Sequence, residues 1–154
     1  MKGIFWNSRG LKDLAKSRFL SELSKEQKLD FIALLQTGKD KFADSWLNNI
    51  CGGKDFLWHW TRPKGRSGGI LLGINLELFD VASIDEGEFY IKFHLRNKED
   101  AFQWNLVAVY GAAQDEFKQD FLLELVNSCS KEALPMVIGG DFNIIRNPME
   151  KNNE

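Results

Sequence analysis

The stretch Gly139-Gly140-Asp141-Phe142-Asn143 sets a carboxylate and a carboxamide two positions apart. On an extended strand alternate residues share a face, so Asp141 and Asn143 would project together while Phe142 turns into the core. Paired in that way they could share one metal ion or one phosphate. The alternative is a strand that ends in an Asx-rich turn, where both side chains serve the backbone. Other polar groups also stand where apolar runs stop: Asn7 after Ile4-Phe5-Trp6, Gln36 after Ile32-Ala33-Leu34-Leu35, Ser67 in a glycine-rich turn, and Tyr110. Ligand groups gathered at strand ends are the usual way an α/β sheet builds a site.

The remaining reactive residue types point elsewhere. Cys51 and Cys129 lie far apart, match no metal or redox spacing, and read as reduced thiols. His59 and His94 are single histidines in strand patterns and read as structural. Arg62, Lys64 and Arg66 form a basic turn, suited to a phosphate backbone or simply to water.

The elements that would carry these groups follow from periodicity. The chain has 154 residues, 44% of them hydrophobic, with twelve Phe and five Trp, enough for one domain with a substantial core. Its net charge of −2 excludes a global basic footprint for nucleic acid, so any such contact must be local. No apolar signal region opens the chain and no run approaches the length of a membrane span, which reads as a soluble intracellular protein without membrane contact.

Gly3–Trp6 predicts a first strand. Leu11, Leu14, Ala15, Phe19 and Leu23 recur at helical spacing and predict an amphipathic helix over 12–25. Leu29–Leu35 is nearly continuous apolar sequence, which suits a strand buried on both faces. Phe42, Trp46, Leu47 and Ile50 predict a second, shorter helix. Strands follow at Phe56–Trp60, Ile70–Ile74, Glu88–Leu95 and Phe102–Tyr110, with Asn97–Asp100 as a hairpin connection. In the third of these, Phe89, Ile91, Phe93 and Leu95 should share one face. A helix over 116–130 and a strand at Met136–Ile138 complete the pattern. Strands and helices alternating around central antiparallel strands argue for a layered α/β fold with mixed sheets.

Five pieces, in order and at fitting spacings, carry a resemblance to a family. They are Trp6-Asn7-Ser8-Arg9-Gly10-Leu11, Ile32-Ala33-Leu34-Leu35-Gln36-Thr37, Gly65-Arg66-Ser67-Gly68-Gly69-Ile70, Val109-Tyr110-Gly111 and Gly140-Asp141-Phe142-Asn143. The chain resembles the endonuclease/exonuclease/phosphatase family, closest to the apurinic-type endonuclease domain of plant LINE-type (non-LTR) retrotransposons. The resemblance implies a DNase I-like α/β sandwich that hydrolyses phosphodiesters with Mg²⁺ or Mn²⁺, with DNA as the partner. By likeness, Asn7 would help to orient the metal or a phosphate oxygen, and Gln36 stands at the metal-binding position. Tyr110 would contact the scissile phosphate, Asp141 would orient or deprotonate the attacking water, and Asn143 would donate to phosphate oxygens in the transition state.

Two departures bear on activity. Gln36 stands where the family has a glutamate, and a neutral amide is a poorer ligand for a hard cation. Asp40 is the nearest acid downstream. The family's second half would add further strands, another aspartate and a terminal Ser-Asp-His motif, which the sequence through Glu154 does not contain. The expectation is therefore a single partial domain over 1–154, its C-terminal part missing, catalytically inactive, with weak DNA contact and non-specific self-association. The alternatives are an active nuclease or phosphatase completed by another segment, and a non-catalytic interaction module that reuses the fold.

Overall fold

Alternation within the strands decides the layering. In the computed structural model, which describes residues 1–64 and 68–144, β1 (Gly3–Asn7) pairs in parallel with β2 (Phe31–Leu35). Between them runs α1 (Leu14–Gln27), and α2 (Asp44–Ile50) follows β2. β3 (Phe56–Trp60) and β4 (Ile70–Asn75) pair antiparallel, and β4 joins β2, so the first sheet has the order β1-β2-β4-β3. β5 (Phe79–Glu86), β6 (Tyr90–Asn97) and β7 (Gln103–Tyr110) form an antiparallel meander. A short 3₁₀ turn at Asp115–Phe117 leads into α3 (Lys118–Ser130), and β8 (Met136–Asp141) returns parallel to β7 at the outer edge of the second sheet.

The two sheets pack face to face between helical layers. Phe31, Ala33 and Leu35 of β2 and Ile70, Leu72 and Ile74 of β4 meet Ile91, Phe93 and Leu95 of β6 and Trp104, Leu106 and Ala108 of β7. The opposite faces of the same strands are apolar too. Ile32, Leu34 and Leu71 pack toward Leu20, Leu47 and Ile50, and Val107 and Val109 pack toward Phe121. This double burial is why β2 reads as an unbroken apolar run. The layered α/β sandwich of mixed sheets is the architecture that the element pattern predicted.

Three local expectations are corrected. β5 has no counterpart in the sequence reading, because only Phe79 of its eight residues is buried and an exposed edge strand leaves no apolar alternation. The buried face of α1 is Ser17, Leu20, Ser21 and Ser24, whereas Leu14 is 78% exposed and Phe19 lies outside the core against Trp6. Two of these small serines meet α2: the Ser21 hydroxyl donates to Asn49 Oδ1 and the Ser24 hydroxyl to the Ile50 carbonyl, while Ser17 bonds within its own helix. Phe89 precedes β6 and turns to Phe121 on the helix side, so it does not share the face of Ile91.

A cleft at the ends of two sheets

The site lies where β1 of one sheet meets β8 of the other. In β1 the inward residue Phe5 is followed two positions on by Asn7, and in β8 Gly139 is followed by Asp141. The rim of the Phe5 ring occupies the space where a side chain on Gly139 would begin. That close approach lets Asn7 reach across, and its Nδ2 donates to Asp141 Oδ2 at 2.7 Å. Asp141 is also the register partner of Tyr110 on β7.

The turn after β8 fills the other half of the carboxylate. Asn143 has a left-handed φ of 51°, so the chain leaves the extended conformation directly after Asp141. Its backbone N–H donates to Asp141 Oδ1 at 3.0 Å, and its Nδ2 donates to the Gly111 carbonyl at 2.8 Å. The Asp141 side chain thus closes an Asx turn on the Asn143 backbone, and the two side chains do not project in parallel from one strand face. Phe142 packs toward Phe121, as the sequence suggested.

The loop that carries Asn7 is held from several sides. Asn7 Oδ1 accepts from the Arg9 N–H at 3.1 Å, and the Ser8 hydroxyl donates to the Leu35 carbonyl at 3.0 Å. The Gly10 N–H donates to the Gln36 carbonyl at 2.7 Å, which joins the loops after β1 and β2. Lys16 Nζ donates to the carbonyls of Ser8 and Gly10 at 2.6 and 2.9 Å. Asn7 does not cap α1; Asp13 does, accepting from the Ala15 N–H.

Tyr110 is buried at the end of the inter-sheet core. Burial, reinforced by the negative charge of Asp141, pushes its hydroxyl above the ordinary tyrosine range, and the Asn143 side chain works in the opposite direction. Tyr110 is therefore held as a neutral phenol beside the carboxylate.

Asn7, Leu35, Asp141, Phe142 and Asn143 line a cleft of about 660 Å³ together with Phe5, Ala113, Lys118, Gly140 and Ile144. Gln36 is half-buried at a left-handed φ of 54°, is not among those lining residues, and packs its stem over Gly68. The fold thus brings Asn7, Asp141 and Asn143 to the cleft wall; Tyr110 joins them as the register partner of Asp141 without lining the cleft, and Gln36 stands beside it. Lys118 is a cleft residue that the motifs did not mark. Its only sequence signal is a cation at the start of a helix, where the helix dipole disfavours positive charge.

The donor set does not fit a metal held by protein alone. Asp141 is the sole carboxylate among the described lining residues, and both of its oxygens already accept hydrogen bonds. No group of three or more His, Cys, Asp or Glu side chains suited to a metal occurs among the described residues. Asp40 is exposed and lends its carbonyl to Trp60. His59 pairs with Glu86 at 3.2 Å and His94 with Gln103 at 2.8 Å, so both histidines are structural contacts on the sheets. Arg62 and Lys64 are exposed; Arg66 and Ser67 lie outside the described residues. No helix among the described residues is long and apolar enough to cross a membrane.

Residues 4–153 match the model of the Endonuclease/Exonuclease/phosphatase family. No curated protein sequence matches the chain. Among solved structures, the human Nocturnin catalytic domain with bound sulfate anion is 16% identical at a TM-score of 0.67, over 92% of this chain and 64% of that one. Humanized D. rerio TDP2 is 12% identical at a TM-score of 0.69, over 94% of this chain and 66% of that one. ANGEL2, a 2',3'-cyclic phosphatase in complex with adenosine-2',3'-vanadate, is 12% identical at a TM-score of 0.65, over 91% of this chain and 48% of that one. The chain therefore spans about half to two thirds of the length of these structures.

Proposed function

The chain belongs to the endonuclease/exonuclease/phosphatase family, and from that premise we propose that it is a retrotransposon-derived phosphodiesterase-fold domain that binds a phosphodiester weakly and does not hydrolyse it. One observation carries this reading: Asp141, the only carboxylate among the described cleft residues, is engaged on both oxygens by Asn7 and Asn143. In this family a divalent metal would offset charge on the phosphate and the leaving oxygen, and such a cation asks for several hard oxygen ligands. Gln36 offers a neutral amide at the family's metal position and stands outside the cleft lining. What remains is a carboxylate fixed between Asn7 and Asn143, whose side-chain amides each keep a second N–H that could donate to an oxyanion. Two structural neighbours carry such oxyanions, sulfate in Nocturnin and a vanadate ester in ANGEL2, which supports a phosphate group as the ligand. The retrotransposon origin rests on the motif resemblance. With so little basic surface, duplex DNA should bind in the non-specific range of about 10⁻⁴ to 10⁻⁶ M.

A second reading is an active phosphodiesterase or phosphatase whose remaining site groups come from another segment. The intact assembly of Asn7, Tyr110, Asp141 and Asn143 is the observation in its favour.

Nicking of supercoiled plasmid in Mg²⁺ or Mn²⁺ separates the two. Loss of one electrostatic or acid–base group removes about 10² to 10⁴ in rate, so no nicking above background is expected. Gln36→Glu should not restore it, because that carboxylate would stand beside the cleft. Metal-dependent nicking by the wild-type chain that disappears in Asp141→Asn would establish the second reading.

A further inference from the structure

Asp141 brings a negative charge into the cleft, and the described residues offer no group of three or more His, Cys, Asp or Glu side chains that could hold a metal to offset it. A phosphate diester entering there needs a positive charge from another source. Lys118 is the one cation among the described cleft residues. Its ammonium lies 2.9 Å from Asp115 Oδ1, and the Asp115 side chain is 95% exposed against 29% for Lys118. An ion pair with a partner so open to water is weak and is exchanged readily. The amides of Asn7 and Asn143 each carry two N–H groups; one of each pair is directed to Asp141 or to the Gly111 carbonyl. The cleft can therefore present an ammonium and further amide N–H groups to one oxyanion.

We propose that Lys118 supplies the positive charge of this cleft, so that a phosphate diester binds there without a divalent cation, the ammonium exchanging Asp115 for a phosphate oxygen. The inference rests on reading the cleft as a phosphodiester site. It changes what such a site requires: a hard cation would need several oxygen ligands, whereas a lysine acts as a mobile point charge on a flexible stem.

The test is a titration of ¹⁵N-labelled protein with thymidylyl-thymidine, a dinucleoside monophosphate, in EDTA and again in MgCl₂. Amide shifts at Lys118, Gly140, Asp141 and Asn143 are expected in both buffers with equal affinity. Lys118→Gln should weaken binding about fivefold, the upper range for an exposed charge pair. Asp115→Asn should tighten it by releasing the ammonium. With a short single-stranded oligonucleotide, Lys118→Gln should lower the slope of log K against log salt by about 0.7, the share of one phosphate contact. Binding seen only in MgCl₂, or equal in wild type and Lys118→Gln, overturns the inference and leaves the phosphodiester reading standing. Inorganic phosphate binding as tightly as the dinucleotide overturns the diester preference. No shift at the cleft in either buffer overturns the phosphodiester reading itself and the inference with it.

Discussion

Replacing Gly139 with alanine should pull the two sheets apart at the cleft. A Cβ built on Gly139 lies 2.4 Å from Phe5 Cε2 and 2.5 Å from Cδ2, whereas ordinary contact begins at 3.4 Å. Relief requires about 1 Å of movement, the difference between 3.4 and 2.4 Å. The Phe5 ring is held on one side by an edge-on contact with Phe31 at 5.2 Å between centroids and borders the cleft on another, so part of the strain can be relieved by the ring. The remainder should pass to the strands, where Asn7 Nδ2 and Asp141 Oδ2 are 2.7 Å apart. A lengthening of about 1 Å takes that bond past the roughly 3.2 Å limit of a good N–H···O contact. Overpacking costs about 1–3 kcal/mol and a hydrogen bond to a charged group is worth about 1.5–3 kcal/mol, so a total near 3 kcal/mol is expected after partial relaxation. With a urea m-value of about 1–3 kcal/mol/M, the unfolding midpoint should fall by roughly 1–3 M. Phe5→Leu removes the obstructing ring edge, so the double variant should lose less than the two single losses added together. A Gly139→Ala loss under about 0.5 kcal/mol, or losses that add within about 0.5 kcal/mol, would refute the close approach as the device that seats Asn7 on Asp141.

Two further expectations concern the same junction. In a double-mutant cycle of Asn7→Ala and Asp141→Ala, urea unfolding should give a coupling of about 1–2 kcal/mol, and additive losses would show that the cross-sheet bond contributes nothing. The raised pKa of Tyr110, from burial and from Asp141, means that the folded state holds the phenolic proton more tightly than the unfolded one. Its stability contribution is therefore complete below the ordinary tyrosine value of 10.0 and is lost as pH rises through the folded value. Tyr110→Phe should flatten the loss of urea midpoint above the ordinary tyrosine value of 10.0. The share from Tyr90, whose hydroxyl is raised chiefly by its own burial, should remain. An unchanged pH profile in Tyr110→Phe would remove Tyr110 from the account.

Local pattern alone determined much of this molecule. A strand buried on both faces needs apolar residues at every position, so β2 and β4 could be read without neighbours. Polar residues that end apolar runs marked Asn7, Tyr110 and Asp141 as strand-end groups, because a strand terminus is where a side chain can leave the core. Tertiary structure decided the rest. The buried face of α1 is serine-rich and meets α2 through Ser21 and Ser24, a contact that hydrophobic spacing on one helix does not encode. β5 is built by pairing with β6 and carries little apolar pattern of its own. The bond that seats Asn7 on Asp141 joins residues 134 positions apart, and it exists because a glycine on one sheet makes room for a phenylalanine on the other. The same packing leaves Gln36 beside the cleft and brings Lys118 into it. Side-chain chemistry is written residue by residue, but which groups face one cavity depends on how two sheets and a helix settle against one another, and no local period records that.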